Sequence, residues 1–375
     1  MKDNLTAIGM MSGTSMDGID IAMMQTDGVH IHEFGPTMFC PYTTDQRDLI
    51  CEAIEAAQLI EDREDRSGAL GLAEIEVTKA HIKAIREFCQ QENISMQMVD
   101  VIGFHGQTVF HAPDRALTVQ LGSGGQIYEA FGVPTVCDLR ADDIAQGGQG
   151  APLVPVYHQA LVNYADLRLP VAVVNIGGVA NVTWVGEGDD MLAFDTGPGN
   201  ALIDDWVAMH IGRPMDLDGV LADAGTVSEA HLEELMENPY FDLEPPKSLD
   251  RNNFSFEILS DLSLENGAAT LTAFTAHSLA KSCEHMTKLP KMWIVTGGGA
   301  RNPVLCSMLE EALQDYGDCE VMLAGDLNWE TDFIEAQAFA YLAVRTVKGL
   351  PITFPGTTGI HAPSEGGLLI GGHLM

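Results

Sequence analysis

Asp195 is the carboxylate best placed to do chemistry. It stands in Phe194-Asp195-Thr196-Gly197-Pro198-Gly199-Asn200, after the apolar run Met191-Leu192-Ala193 and before a segment with helical spacing. A carboxylate that ends a strand directly before a helix start meets the positive end of the helix dipole, which favours its ionised form. That suits a general base drawing a proton from an attacking hydroxyl or water. A helix N-cap would use the same residue at the same place, and the two roles are compatible.

Met10-Met11-Ser12-Gly13-Thr14-Ser15-Met16-Asp17-Gly18-Ile19-Asp20 is a second feature with chemical content. Glycines let backbone N–H groups approach a ligand and small hydroxyls add donors, so such a turn can cradle phosphate. A plain hairpin turn uses the same Ser-Gly and Asp-Gly pairs. Gly297-Gly298-Gly299 follows an apolar strand and precedes a helical pattern, where N–H groups at a helix start face anions. It has neither the G-x-G-x-x-G spacing nor the lysine of a P-loop, and close strand–helix packing accounts for it equally. His105-Gly106-Gln107-Thr108-Val109-Phe110-His111 follows a strand and offers two imidazoles, an amide and a hydroxyl, which can read a sugar, bind metal or stay structural. Arg140, one of few arginines in an acidic chain, could clamp a carboxylate in bidentate fashion or pair with a neighbouring Asp.

These residues need strands and turns to hold them. The apolar run Leu5–Met11 enters the first turn and Ile19–Met23 leaves it with apolar residues at alternate positions, the pattern of two strands. Pro170–Ile176, Gly177–Asn181 and Val182–Val185 repeat strand, glycine turn and strand about half a chain later. Two such hairpins predict two domains of related topology. Between them, Gly147-Gly148-Gln149-Gly150-Ala151-Pro152 is either a linker or a binding loop. Leu72, Ile75, Ile82, Ile85 and Cys89 predict one face of a helix over 72–89. Further helices are expected after Gly199, after Asn302 as N-cap with Pro303 next, and from Glu335 to Ala343. Strands and helices mix throughout, so the class is α/β or α+β.

The 375 residues carry 19 basic against 54 acidic side chains, a formal charge of −35. That field disfavours nucleic-acid and anionic-membrane partners, and an anionic substrate would need local donors and a divalent cation. Seven scattered cysteines without a C-x-x-C pair argue against disulfides or a thiolate zinc site. No run of 18 apolar residues predicts a membrane span. Met1–Asn4 passes straight into the first strand without a secretory pattern, so a cytoplasmic protein is expected.

Six stretches, in order, resemble those of the anhydro-N-acetylmuramic acid kinases. They are Met11–Gly18, His105–Thr108, Gly147–Pro155, Asn175–Gly178, Phe194–Asn200 and Gly297–Pro303, and together they span nearly the whole chain. The resemblance implies the duplicated, ribonuclease H-like α/β fold of the sugar kinase, Hsp70 and actin superfamily, with an ATP cleft between domains. Those domains would be 1–168 and 169–350, with the 351–375 tail a candidate to pack on the first. The activity implied is ATP-dependent phosphorylation of O6 of 1,6-anhydro-N-acetylmuramic acid while water opens the anhydro bridge at C1. The product is N-acetylmuramate 6-phosphate, in peptidoglycan recycling.

By the same resemblance Asp195 is the base that activates this water. Gly13, Thr14, Ser15, Met16, Asp17, Gly18, Ile19, Asp20, Gly177 and Gly178 would hold the ATP phosphates, with Asp17 in the Mg²⁺ shell. Gly297, Gly298 and Gly299 would pass close to the adenosine. His105, Gln107, Thr108 and Gln120 would meet the sugar, and Arg140 its lactyl carboxylate. A homodimer is compatible with this reading. The chain departs from the family at Lys247-Ser248-Leu249-Asp250-Arg251-Asn252, where many members carry Lys-Ser-Thr-Gly-Arg-Glu. Two rivals stand beside it: a kinase for another amino sugar that opens no ring, and a nucleotide-dependent regulator without catalysis. Labelled water separates the first, and sugar-dependent ADP release the second.

Overall fold

Alternating apolar residues on either side of the Gly13–Asp17 turn fold into the expected hairpin. β1 (Leu5–Ser12) pairs antiparallel with β2 (Gly18–Thr26), and β2 with β3 (Ile31–Pro41). β4 (Val101–Ala112) lies parallel to β1, β5 (Leu117–Leu121) folds back on β4, and β6 (Thr135–Cys137) runs parallel to β4. The second half repeats this plan. β7 (Val171–Ile176), β8 (Val179–Val185) and β9 (Met191–Pro198) form an antiparallel meander. β10 (Met292–Thr296) is parallel to β7 and β11 (Glu320–Leu323) parallel to β10. The orders β3-β2-β1-β4-β6 and β9-β8-β7-β10-β11 match in sequence and in sense. The fold is α/β and internally duplicated.

The computed structural model describes residues 3–13, 15–249 and 253–372. Thr14, expected at the phosphates, lies outside the described residues, as do Asp250, Arg251 and Asn252. The chain divides into two units, Met1–Tyr164 with Asp332–Met375, and Ala165–Thr331. The helix Ile334–Val347 thus belongs to the first unit, whereas the sequence boundaries gave it to the second. In the tail, β12 (Leu368–Ile370) extends the first sheet by pairing with β6.

Within the first unit, Ile8, Met10, Ile19, Ile21, Ile102 and Phe104 bury one sheet face against the helices Thr44–Ala57 and Ala69–Gln91. The second helix keeps the C-terminal part of the expected face: Ile85 is buried, and Ile82 and Cys89 pack against the same core. Leu72 and Ile75 are exposed instead, and toward the N-terminus the buried stripe runs through Leu70, Ala73, Val77 and His81, at i, i+3, i+4 spacing.

The other face of this sheet carries the helix Ile334–Val347, and glycine decides how closely. Gly9 and Gly103 are direct partners in the β1–β4 register. A Cβ at Gly9 would lie 2.0 Å from the Ala336 carbonyl oxygen and 2.3 Å from the Ala340 nitrogen; one at Gly103 would lie 2.0 Å from the Phe339 oxygen. Helix backbone therefore rests on strand backbone with no side chain between.

In the second unit, the helices Leu264–Lys281 and Pro303–Gln314 bury Leu279, Leu305 and Leu309 against Val174, Ile176, Val182, Trp293 and Val295. Asn302 caps the latter helix as expected, accepting from the N–H groups of Val304 and Leu305 at 3.1 Å each. All seven cysteines are free thiols. Among the described residues no helix is long and apolar enough to cross a membrane.

Gly103→Ala is expected to cost about 3 kcal/mol or more, the upper range of overpacking, because backbone rather than a side-chain tip must give way. Thermal unfolding of the variant beside the parent protein checks this; an unchanged melting temperature would refute the close-approach argument.

Candidate active site

The first glycine turn is pinned to β4. Ser12 is buried and its Oγ donates to the Gly106 carbonyl at 3.1 Å. The Gly13 carbonyl accepts from Gln107 Nε2 at 3.0 Å and from the Met16 N–H at 3.2 Å. Met16 closes the turn with φ of 53°, and Ser15 Oγ donates to Asp17 Oδ1 at 2.6 Å. Asp17 is exposed and Asp20 half-buried on β2, beyond the buried Gly18 and Ile19. Burial and, in turn, the carboxylates of Asp17, Glu335 and Asp332 push the Asp20 carboxyl up to about 7. Among the described residues no group of three or more acidic, His or Cys side chains is arranged to hold a metal ion.

His105, Gln107 and Thr108 lie within β4, which runs on to Ala112, and not beyond a strand end as expected. The buried His105 ring is fully engaged: Nδ1 lies 2.7 Å from the Gly106 oxygen, and Nε2 accepts from Arg140 Nε at 3.1 Å. That assigns the proton to Nδ1. Burial first, then the Arg140 charge, holds the imidazole well below its ordinary range, so it is neutral. Arg140 also donates through Nη1 to the Gly150 carbonyl at 2.8 Å. Among the described residues it makes no ion pair with a neighbouring Asp, and the acid influencing its charge is Glu335. His105 accordingly aims Arg140 rather than facing a ligand with its own nitrogens.

The Gly147–Gly150 run is a built loop of this unit and not a linker. It wraps the buried Asp143, whose carboxylate accepts the Gly150 N–H at 2.7 Å and the Thr358 hydroxyl at 2.6 Å. A Cβ on Gly148 would fall 2.2 Å from that carboxylate. Across β4 and β5, Thr108 faces Gln120, whose Nε2 donates to Thr108 Oγ1 at 3.3 Å and Thr118 Oγ1 at 2.8 Å. The buried amide oxygens of Gln107 and Gln120 have no hydrogen-bond partner among the described residues.

In the second unit, three glycine segments converge at the end of β7. The Gly199 and Asn200 N–H groups donate to Gly178 and Gly177 carbonyls at 2.9 and 2.7 Å, and Asn200 Nδ2 to the Ile176 carbonyl at 3.1 Å. Gly297 has φ of 77°, and a Cβ there would meet Asn175 Oδ1 at 2.3 Å. A Cβ on Gly299 would meet the Ile176 side chain at 2.4 Å, while Gly298 stays clear on that side. Gly177, Gly178 and Gly297 to Gly299 are therefore brought together.

Asp195 departs from its expected setting. It lies inside β9, which continues to Pro198, and the helix Ala201–Ile211 begins six residues later with Asn200 as cap. It neither caps that helix nor feels its dipole at close range. Asp195 pairs with Asn181, Asn181 with Asn175, and Asn175 with Thr296, a polar row across β9, β8, β7 and β10. The segment that follows the helix Glu229–Met236 grips the aspartate. Its N–H donates to the Lys247 carbonyl at 3.0 Å, its carbonyl accepts Tyr240 Oη at 2.5 Å, and its Oδ2 accepts the Leu249 N–H at 2.8 Å. Oδ1 has no hydrogen-bond partner among the described residues. Burial raises the carboxyl to about 6, with the Leu249 N–H opposing. The dipole argument predicted a shift in the other direction; desolvation wins because the helix end is not adjacent.

The comparisons with known proteins bear on the whole chain. The family model described as "Anhydro-N-acetylmuramic acid kinase" matches residues 5–370. Curated relatives of that name from Methylorubrum populi and Rhodopseudomonas palustris are 49% and 48% identical, each over 97% of this chain and 98% and 99% of their own. The chain belongs to the anhydro-N-acetylmuramic acid kinase family. The match runs from the start of β1 to the end of β12. Sequence reasoning did not select Glu335, Asn175, Asn181, Tyr240 or Lys247 as candidate site residues, although the Asn175–Gly178 and Lys247–Asn252 stretches drew notice for their likeness to family motifs.

The imidazole of His105 should stay neutral and Nδ1-protonated at pH 5. Long-range ¹⁵N–¹H correlation spectra of the imidazoles across pH 5–8 test this, and a His105 signal titrating near 6.5 would contradict the arrangement.

Proposed function

We propose that this chain is an ATP-dependent kinase that opens 1,6-anhydro-N-acetylmuramic acid and phosphorylates it in one active site. The observation that carries the reading is Asp195: one carboxylate oxygen held by a backbone N–H, the other without a hydrogen-bond partner among the described residues, in a buried setting that keeps the group basic near neutrality.

The sugar's lactyl carboxylate pairs with Arg140, whose guanidinium is aimed by His105 and Gly150. Sugar hydroxyl and amide donors fill the acceptor oxygens of Gln107 and Gln120. Asp195 takes a proton from water as its oxygen bonds to C1. The C1–O6 bond breaks, its electrons go to O6, and O6 attacks the γ-phosphorus as the bond to the ADP oxygen breaks. The products are N-acetylmuramate 6-phosphate and ADP. No separate acceptor hydroxyl has to be deprotonated, because the leaving oxygen is the nucleophile.

Backbone N–H groups of the Gly13–Asp20 and Gly177–Gly178 turns hold the phosphates, and Gly297 to Gly299 lie along the adenosine. Mg²⁺ fits the acidic neighbourhood of Asp20, since that cation is satisfied by one or two carboxylates plus phosphate and water. Asp20, with Asp17 beside it, would hold it, and the cation would neutralise charge on the transferring phosphoryl group. Such an activity belongs to peptidoglycan recycling in the cytoplasm.

Purified protein should release ADP only when the anhydro-sugar is present. Turnover in ¹⁸O-water should place the label at C1; unlabelled phosphorylated product would leave a kinase that opens no ring. Asp195→Asn is expected to reduce kcat at least about a thousandfold with ATP affinity kept. Because the carboxylate is the active form, kcat/KM for the sugar should fall about tenfold per pH unit below about 6 and level off above it. A flat profile down to pH 5 would exclude Asp195 as the base.

A further inference from the structure

Lys247 and Tyr240 do not reach the free oxygen of Asp195, yet every other polar atom of that residue is held by the segment they organise. The Tyr240 hydroxyl donates to the Asp195 carbonyl at 2.5 Å. The Lys247 carbonyl takes the Asp195 N–H at 3.0 Å, and the Leu249 N–H, two residues on, reaches Oδ2 at 2.8 Å. The Lys247 ammonium turns back and donates to the Tyr240 and Phe241 carbonyls at 3.1 Å each and to His285 Nε2 at 3.3 Å. It also lies 4.8 Å from the centre of the Tyr240 ring and 5.6 Å from that of Phe194, the residue before Asp195. One ammonium thus ties the Tyr240 turn to the extended segment that carries the Leu249 N–H. Phe241 anchors the turn in an aromatic cluster, 6.0 Å from Phe274 and 5.7 Å from Phe254.

We infer that Tyr240 and Lys247 are positioning residues that fix the orientation of the Asp195 carboxylate, acting through the Leu249 N–H and the backbone of Asp195 itself. The inference rests on Asp195 being the base. It makes a further statement, that the rate depends on a clamp whose members touch neither sugar nor nucleotide. A rigidly held carboxylate presents Oδ1 in one direction; a loose one samples several, and displacements near 1 Å can cost about a hundredfold in rate.

Among the described residues the titratable groups around Asp195 are few. On the clamp there are the Tyr240 phenol and Lys247, with Asp242 and Glu244 close to the ammonium. From the helix Leu264–Lys281 and the turn after it come Lys281, Glu284 and His285. From β8, the paired residue is Asn181, which does not titrate. Loss of the Leu249 hydrogen bond removes the one contact that lowers the Asp195 carboxyl, so loosening the clamp should raise it.

The test compares Tyr240→Phe, which keeps the ring and loses only the hydroxyl, with Lys247→Met in the full-length protein. Both are expected to lose about ten- to a hundredfold in kcat with KM for ATP within about twofold. The acid limb of the pH profile should move upward by about half a unit or more. The Asp195 carboxyl, followed directly by carbon NMR in protein labelled at aspartate, should titrate higher in both variants. Wild-type kcat and an unmoved limb in Tyr240→Phe would overturn the inference. So would a rate loss that merely tracks loss of folded protein with the limb in place. Should Asp195→Asn keep its turnover, the base assignment fails instead, and the carbon titration still decides whether the clamp holds.

Discussion

The contact between the helix Ile334–Val347 and the bare backbone of Gly9 and Gly103 fixes more of this molecule than any other. With no side chain between helix and sheet, the helix has almost no freedom to slide or roll, because close-packed interiors do not deform continuously. Its first turn carries Glu335, the acid that influences both Arg140 and Asp20. Its middle carries Gln337, whose side chain accepts from the buried Tyr157 hydroxyl at 2.8 Å. The same β1–β4 pairing sets the register in which Gln107 reaches the Gly13 carbonyl. One glycine pair therefore places an acidic helix end, a phosphate turn and a sugar-facing strand relative to one another.

A chain of net charge −35 that handles two anionic ligands has to solve an electrostatic problem locally. Surface cations do not solve it; the observed Lys and Arg pairs, such as Lys79–Glu76 and Lys281–Glu284, are spent on neighbours. Arg140 differs from them: it is tethered by neutral partners, the His105 imidazole and the Gly150 carbonyl, so no adjacent carboxylate is hydrogen-bonded to it among the described residues.

Much of this was legible in the sequence, and the reasons for the rest are specific. The two hairpins, the cap at Asn302 and the duplicated order followed from local alternation, glycine turns and capping chemistry, all of which act over a few residues. The N-terminal part of the buried face of Ala69–Gln91 was misread because Leu72 and Ile75 outweigh Ala73 and His81 in any count of apolar mass. The role of His105 could not be read, since it depends on Arg140 thirty-five residues away. The assignment of the last helix to the first unit depends on two glycines, residues whose meaning is what they lack. At Asp195 the sequence pattern predicted a helix start, and the residue lies in a strand interior.

That last difference bears on how a carboxylate becomes a usable base. Beside a helix N-terminus or a cation, Asp195 would be stabilised as the anion, and a stabilised anion is a weak acceptor. Burial does the opposite, and one N–H bond from Leu249 limits the effect, leaving the group at about 6. A carboxyl there is ionised at neutral pH yet takes a proton far more readily than an exposed aspartate. Lys247 is close enough to have spoiled this balance. Its ammonium points at two carbonyls and an imidazole, and its charge does not register among the influences on Asp195. The lysine therefore contributes order to the segment around the base without quenching it, a division that a direct ion pair could not achieve.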